Sequence, residues 1–164
     1  MEVDASSPNR APKLDDLLEV TKIMRRSEVP SVVVMKTIGS RPQHECVLGD
    51  GMGKMFQAAH GAGVVSDGGA RDLEALTRLG LPVFGRGAVC GHASLAYKLA
   101  AEPAVISDMA IDHGDLLHGD QNGVHLIPAP YHHAIIEACC LTRDFETHAP
   151  LVNRRCNVTA YEKR

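Results

Sequence analysis

The residues best suited to chemistry are Arg71 and Asp72, which follow three small residues, Gly68, Gly69 and Ala70, at the end of a short apolar run. Small residues permit a backbone path that most side chains would block. At the carboxyl end of a strand, an arginine offers a planar donor to a carboxylate, and an aspartate offers oxygen ligands to a hard cation. The pair predicts a site for a small acid and a metal ion. A surface ion pair, or an Asp72 that caps a helix, is the alternative interpretation.

A second glycine-rich turn, residues 49–53, contains Asp50 directly before a predicted helix. Its three glycines leave backbone N–H groups approachable by an anion, and the helix dipole strengthens that attraction. The spacing G-x-G-x-G is not the dinucleotide-binding fingerprint, and Lys54 is not followed by the Ser or Thr of a P-loop. The turn therefore predicts either a cradle for a carboxylate or a generic tight turn.

The elements that must position these two turns alternate between strands and helices. Residues 31–35, 63–66 and 81–84 are short apolar runs typical of buried strands, and residues 54–60 and 73–79 have helical patterns. This alternation predicts an α/β fold with a mostly parallel central sheet and covering helices.

The remaining sequence predicts a single domain between two polar ends. Residues 15–27 and 131–141 predict a first and a last helix, and the Gly-Asp and Asn-Gly steps in 113–123 predict β-hairpins. We divide the chain into a disordered lead-in (1–13), an α/β domain (14–141) and a C-terminal tail (142–164).

Composition excludes several classes of function. The formal charge is −3, and basic residues are not interleaved with aromatic ones, so a nucleic-acid surface is disfavoured. No apolar stretch reaches the roughly 18 residues of a membrane span. The five cysteines lack C-x-x-C pairs and zinc-ribbon spacing, which favours reduced thiols in a cytoplasmic protein.

The ordered motifs resemble the RraA-like family, which includes 4-hydroxy-4-methyl-2-oxoglutarate aldolases, oxaloacetate decarboxylases and dimethylmenaquinone methyltransferase-like proteins. They are GDGMGKMFQAAHGAGVVSDGGARDLEALTRLGLPVFGRG followed by HGDLLHGDQNGVHLIP. The most specific part is Asp50, twenty intervening residues, and then Arg71-Asp72. The resemblance covers roughly residues 30–141 and implies a swivelling α/β/α domain with hairpins, here short at its N-terminus.

The resemblance also implies a role for each matched residue. Asp72 would bind a divalent ion, Mg²⁺ or Mn²⁺, and Asp50 would hold the same ion through water. Arg71 would bind the carboxylate or keto oxygen of the substrate and stabilise an enolate. The pyruvyl carboxylate would lie against the backbone N–H groups of the first turn, at Gly51, Met52 and Gly53.

The activity that the resemblance implies is cleavage of a C–C bond in a 2-keto acid. Retro-aldol cleavage and oxaloacetate decarboxylation both pass through a pyruvate enolate, so one site can catalyse both. The base for the substrate hydroxyl would be metal-bound water together with an acidic residue from a neighbouring subunit of a homotrimer or hexamer, Glu146 or Glu137. His118 would point into a site formed between subunits. The alternative interpretations are solvated helix carboxylates and a turn histidine bonded to backbone.

Two other functions remain open at this stage. Proteins of the same fold bind ribonuclease E as regulators without chemistry, and a catalytically silent oligomeric scaffold is a further alternative. Such regulators generally lack the metal-binding aspartate of the Arg-Asp pair. The presence of Asp72 therefore favours the lyase.

Overall fold

Strands and helices alternate through the first 85 residues of the chain, as seen in a computed structural model that describes residues 1–6, 11–92 and 94–153. The α-helices are α1 (Asp15–Arg26), α2 (Asp50–Gln57), α3 (Leu73–Leu79) and α4 (Ala134–Asn153). The strands are β1 (Glu2–Asp4), β2 (Ser31–Thr37), β3 (Cys46–Leu48), β4 (Gly61–Ser66), β5 (Gly69–Ala70), β6 (Val83–Phe84), β7 (Ala96–Lys98), β8 (Ala104–Ile106), β9 (Met109–Ile111), β10 (Leu116–Asp120) and β11 (Gly123–Ile127). Short 3₁₀ turns occupy Pro42–His44 and Ala129–Tyr131.

The central sheet has five strands in the order β6-β4-β2-β1-β7. Neighbours in the series β6, β4, β2 and β1 run parallel, and β7 pairs antiparallel with β1. The prediction of an α/β fold with a mostly parallel sheet is confirmed. Parallel strands place their carboxyl ends at one edge, and the second glycine-rich turn begins there, at the end of β4. The first turn follows β3, which pairs with β5 in a separate two-stranded sheet.

Both faces of the sheet are apolar, because alternate residues of β4 enter different clusters. Val64 packs with residues of α1, α2 and α3, including Leu17, Phe56 and Leu76. Val65 packs with Ile106 and Ile111 of the β8–β9 hairpin. The apolar run of β4 is therefore explained by burial on two sides.

The first strand, β1, differs from the predicted disordered lead-in at 1–13. Its residue Val3 is fully buried, and its backbone pairs with β2 on one side and β7 on the other. Three residues are too few to show a period-two pattern, so the sequence alone could not identify this strand. Residues 7–10 of the predicted lead-in lie outside the described part of the chain.

The chain divides into two units, Met1–Leu126 and Ile127–Arg164. In the second unit α4 extends well past residue 141, so the predicted start of a C-terminal tail at 142 falls inside a helix. The hydroxyl of Thr142 donates to the Ala138 carbonyl and that of Thr147 to the Arg143 carbonyl. An exposed helix needs no apolar stripe, so the polar sequence after residue 141 did not indicate that α4 continues.

None of the helices in the described part of the chain has the length and apolar character of a membrane span.

The two glycines inside α2 differ sharply in the space around them. A Cβ added at Gly53 would lie 2.5 Å from Leu76 Cδ2, because α2 packs closely against α3 there. A Cβ added at Gly51 would meet nothing within 4 Å. Glycine at 53 therefore permits the helix contact, and glycine at 51 does not serve that purpose.

We predict opposite effects on folding for alanine at these two positions. Gly51→Ala should raise the free energy of unfolding by up to about 1 kcal/mol, since alanine favours helix. The free energy of unfolding of Gly53→Ala should be roughly 1–3 kcal/mol lower than that of Gly51→Ala, because the added methyl group overpacks against Leu76. Urea denaturation of both variants measures the difference, and equal stabilities would contradict the proposed contact.

Candidate active site

The two glycine-rich turns meet at Gly49, which precedes α2. A Cβ added at Gly49 would lie 2.8 Å from Arg71 Nε and 3.0 Å from Asp72 Oδ2. Real side-chain carbons do not approach other atoms this closely, so only glycine allows the Arg71 and Asp72 side chains to lie against the first turn. Asp50 and the Arg71-Asp72 step, separated by twenty intervening residues in the sequence, thereby lie close together in space.

Backbone hydrogen bonds hold the second turn in place. The Gly69 N–H donates to the Glu45 carbonyl at 2.9 Å, and the Arg71 N–H donates to the Leu48 carbonyl at 2.9 Å. The pairing of β5 with β3 is the reason for this register. Arg71 therefore leaves β5 at a fixed point beside Leu48, the last residue of β3. Leu48 directly precedes Gly49, the N-cap residue of α2.

Asp67 secures the start of the same turn. It is 4% exposed, and one carboxylate oxygen accepts hydrogen bonds from Thr37 N at 2.7 Å and Thr37 Oγ1 at 2.5 Å. Its other oxygen accepts from Lys36 Nζ at 2.5 Å. Burial acts to raise the pKa of Asp67, but the bonds from Lys36 and Thr37 outweigh it and the pKa lies below its usual value. The carboxylate therefore joins the carboxyl ends of β2 and β4 while ionised.

Asp72 adopts a left-handed backbone conformation, with φ 56° and ψ 36°. Such angles are uncommon for residues other than glycine, and Asp is among the side chains that tolerate them. Asp72 precedes α3 but makes no side-chain cap hydrogen bond to it. Its Oδ2 instead accepts from Asp50 N at 3.3 Å and lies 3.4 Å from Arg71 Nε. Asp72 therefore does not cap α3; its carboxylate accepts from the first N–H of α2 and pairs with Arg71.

A small cavity of about 170 Å³ lies beside these side chains. One part of its wall comes from the first turn and Arg71, and another from the segment between β6 and β7. The lining residues are Cys46, Leu48, Gly49, Asp50, Gly51, Met52, Arg71, Gly91, His92 and Leu95.

The backbone of the first turn is less available than the sequence implied. The Gly53 N–H donates to the Gly49 carbonyl at 3.0 Å, which is the first hydrogen bond inside the helix. Gly53 is buried against Leu76 and is not among the cavity-lining residues. Gly51 and Met52 line the cavity, and N–H groups in the first turn of a helix have no partner within it. The backbone N–H groups that remain available to an anion in this turn are therefore those of Gly51 and Met52.

Opposite charges surround Asp50. Lys54 Nζ donates to Asp50 Oδ2 at 2.7 Å, one helical turn further along α2. This bond and the charge of Lys54 hold the pKa of Asp50 below its usual value, and the charge of Arg71 adds to the effect. Asp50 is therefore a carboxylate at neutral pH.

Burial raises the pKa of the neighbouring Cys46 thiol, whose Sγ donates to the Leu48 carbonyl at 3.4 Å.

The sequence interpretation missed His92, Gly91 and Leu95 as cavity residues. They lie in an irregular segment with no periodic pattern to mark it. One signal could have indicated them: the segment follows β6, whose carboxyl end lies at the same sheet edge as that of β4.

Five predicted residues are not among those that line the cavity: Gly53, Asp72 and the three candidates for a cross-subunit acid or base. Glu137 and Glu146 belong to α4, in the second unit of the chain. His118 lies on β10, and its ring is 3.9 Å from the Asp120 carboxylate. A role for any of the three across a subunit boundary stays a prediction.

The donor set at the turns is suited to a hard cation with an incomplete protein shell. Asp50 and Asp72 offer carboxylate oxygens, while no group of three or more His, Cys, Asp or Glu side chains suited to a metal occurs in the described ranges. Mg²⁺ is commonly held by one or two carboxylates, with water and substrate oxygens completing its shell. The two aspartates therefore fit Mg²⁺ or Mn²⁺ better than an ion that needs several nitrogen or sulfur ligands.

Comparison with known proteins identifies relatives of this fold. The sequence model of the RraA-like family (Aldolase/RraA) matches residues 7–126, which include both turns. No curated protein matches the chain.

Three solved structures resemble the chain. RraAS2 of Streptomyces coelicolor, an unusual member of the RNase ES inhibitor RraA family, has TM-score 0.66 and 22% identity over 92% of this chain and 74% of that one. An uncharacterized protein from Pseudomonas syringae has TM-score 0.64 and 24% identity over 96% and 72%. The RNA-processing inhibitor RraA from Thermus thermophilis has TM-score 0.56 and 18% identity over 77% and 72%. At these identities the likeness shows the fold alone.

We predict that Asp67 makes the protein sensitive to acid. Its pKa is lower in the folded chain than in the unfolded one, so its stabilisation is present above about pH 4 and is lost as pH falls through the folded pKa. Asp67→Asn should lower the free energy of unfolding at pH 7 by about 1–3 kcal/mol, because the buried ionic hydrogen bonds are weakened. It should also flatten the loss of stability in acid.

Urea denaturation between pH 3 and pH 7 measures both effects. Asp108→Asn is the matched control, since Asp108 is exposed and asparagine also tolerates its left-handed backbone. The prediction is wrong if Asp67→Asn and wild type lose stability in parallel as the pH falls.

Proposed function

This chain belongs to the RraA-like family, and we propose that it is a divalent-metal-dependent lyase that cleaves a C–C bond in small 2-keto acids. The family includes aldolases and decarboxylases as well as inhibitors of ribonuclease E. The observation that carries the proposal is the meeting of Asp50, Arg71 and Asp72 beside a small cavity. A guanidinium, two carboxylates and free helix N–H groups at one point are what binding of a keto acid with a metal ion requires.

Arg71 and the first turn are the proposed binding site for the pyruvyl part of the substrate. The Arg71 guanidinium lines the cavity and can donate to a carboxylate or a keto oxygen. The N–H groups of Gly51 and Met52 begin α2, where the helix dipole favours negative charge. Together they offer two sources of positive potential in a narrow space.

The same groups favour the reaction that we propose. When the C–C bond beside C3 breaks, its electron pair passes into the pyruvyl unit and forms an enolate. Arg71 stabilises the negative charge that develops on the enolate oxygen, and fixed donors in a confined site do this well. Retro-aldol cleavage of a 4-hydroxy-4-methyl-2-oxoglutarate-type substrate and decarboxylation of oxaloacetate share this requirement.

Asp72 and Asp50 are the proposed ligands of the divalent ion, Asp72 directly and Asp50 through water. A bound Mg²⁺ or Mn²⁺ would supply further positive charge and polarise the keto group. Lys54 keeps Asp50 ionised, and the Asp72 carboxylate lies beside Arg71. We also propose a homo-oligomer, trimer or hexamer, in keeping with the common assembly of the family.

The competing function is regulation of ribonuclease E without chemistry. Two of the similar structures are described as an RNase ES inhibitor family member and an RNA-processing inhibitor. The presence of Asp72 beside Arg71 supports the lyase over this alternative, because binding another protein needs no carboxylate paired with a cavity-lining arginine.

We predict that the protein releases pyruvate from oxaloacetate and from 4-hydroxy-4-methyl-2-oxoglutarate with Mg²⁺, and that EDTA abolishes the release. Arg71→Ala should lower kcat/KM about 10²–10³-fold, the usual effect of removing one donor that stabilises an oxyanion. Asp72→Ala should lower kcat/KM at least as much, because the metal ion that polarises the keto group would lose its direct ligand. Coupled measurement of pyruvate, corrected for decarboxylation by Mg²⁺ alone, gives these rates.

Arg78→Ala and Glu74→Gln are the matched controls. Both side chains are exposed on α3 and pair with each other, away from the cavity lining. They should retain wild-type rates. Wild-type protein without metal-dependent turnover of either keto acid would favour the regulator or the silent scaffold.

A further inference from the structure

We propose that His92 is the residue that moves protons to and from the substrate, so that the cavity carries its own acid–base group. This inference rests on the proposed lyase function and adds a catalytic residue to it. It replaces the expectation that the acid or base comes from Glu137, Glu146 or His118 of a neighbouring subunit. The observation behind it is that His92 lines the same cavity as Arg71 and the first turn.

The other titratable groups that line the cavity are unsuited to this task. Arg71 stays protonated in proteins and cannot act as a base. Asp50 accepts a hydrogen bond from Lys54 at 2.7 Å and is itself proposed to hold the metal ion through water. Cys46 is a buried thiol whose pKa is raised and whose Sγ donates to the Leu48 carbonyl.

His92 differs from these groups in both chemistry and position. An imidazole ordinarily takes up and releases protons near neutral pH, which is the property that acid–base catalysis needs. His92 is exposed to solvent at the cavity wall, so it can exchange protons with water. In a cavity of about 170 Å³, a keto acid bound at Arg71 comes within reach of the wall that contains His92.

His92 alone can accept and return the one proton that the aldol cleavage moves. Neutral His92 accepts the proton of the C4 hydroxyl as the C3–C4 bond breaks, C4 becomes a ketone, and the bonding pair forms the pyruvate enolate. The imidazolium then donates that proton to C3 of the enolate, giving the methyl group of pyruvate and restoring neutral His92. In oxaloacetate decarboxylation CO₂ departs with C4, C3 takes its proton from the imidazolium, and water resupplies it.

Exchange of the pyruvate methyl protons with D₂O tests this role directly, because it needs proton transfer at C3 but no C–C cleavage. With Mg²⁺ present, NMR should show that His92→Ala exchanges at least about 10²-fold more slowly than wild type, the usual contribution of a positioned acid or base. Its affinity for pyruvate should change by less than about threefold. Added imidazole should restore part of the rate.

His44→Gln is the matched control, since His44 is exposed on a 3₁₀ turn and is not a cavity-lining residue. It should exchange at the wild-type rate. If wild type binds and exchanges pyruvate and His92→Ala does so equally fast, the role of His92 is wrong and the lyase proposal stands. Loss of pyruvate binding in His92→Ala, or no rescue by imidazole, also overturns proton transfer by His92. A wild-type protein that neither binds nor exchanges pyruvate overturns the lyase proposal, and the role of His92 with it.

Discussion

The structure depends on one close approach, that of the Arg71-Asp72 step to the backbone of Gly49. No side-chain carbon fits there, because it would stand 2.8 Å from Arg71 Nε. The approach is maintained from both sides. The Arg71 N–H is bonded to the Leu48 carbonyl on the strand that leads to Gly49, and Asp67 joins the two central strands where the second turn begins. These bonds hold the Arg71 and Asp72 side chains together beside the start of α2, whose first residue is Asp50.

The charges at this point explain why the site needs both turns. The Asp72–Arg71 pair and the Asp50–Lys54 pair are each neutral, so the second pair adds oxygen ligands and not net charge. Asp50 adds a second carboxylate, and Lys54 keeps it ionised without entering the cavity lining. The cluster retains oxygen ligands for a cation, while Arg71 and the start of α2 retain donors for an anion. This separation of cation ligands from anion donors suits a small acid that also chelates a metal ion.

The sequence could predict the parts of this arrangement that follow from local patterns. The β-branched run at β2 and the small residues after β4 indicated the sheet edge, and the Asp50 to Arg71-Asp72 spacing, through its resemblance to a known family, indicated which residues meet. The sequence could not predict β1, because its three residues are held by pairing with two neighbouring strands. It could not predict the length of α4 either, because the polar sequence after residue 141 shows no helical apolar pattern. His92 escaped notice because an irregular segment acquires its place from the topology of the sheet.

The central claim is that Asp72 and Arg71 bind a metal ion and a keto acid at the same point. A crystal structure of the protein with Mn²⁺ and pyruvate tests it most directly, since the anomalous signal of manganese locates the ion without ambiguity. The account predicts one ion in direct coordination with an Asp72 carboxylate oxygen, Asp50 reaching it through water, and the pyruvate carboxylate against Arg71 and the start of α2. An ion and pyruvate bound elsewhere, or an Asp72 carboxylate that contacts only Arg71 at saturating Mn²⁺, would contradict it.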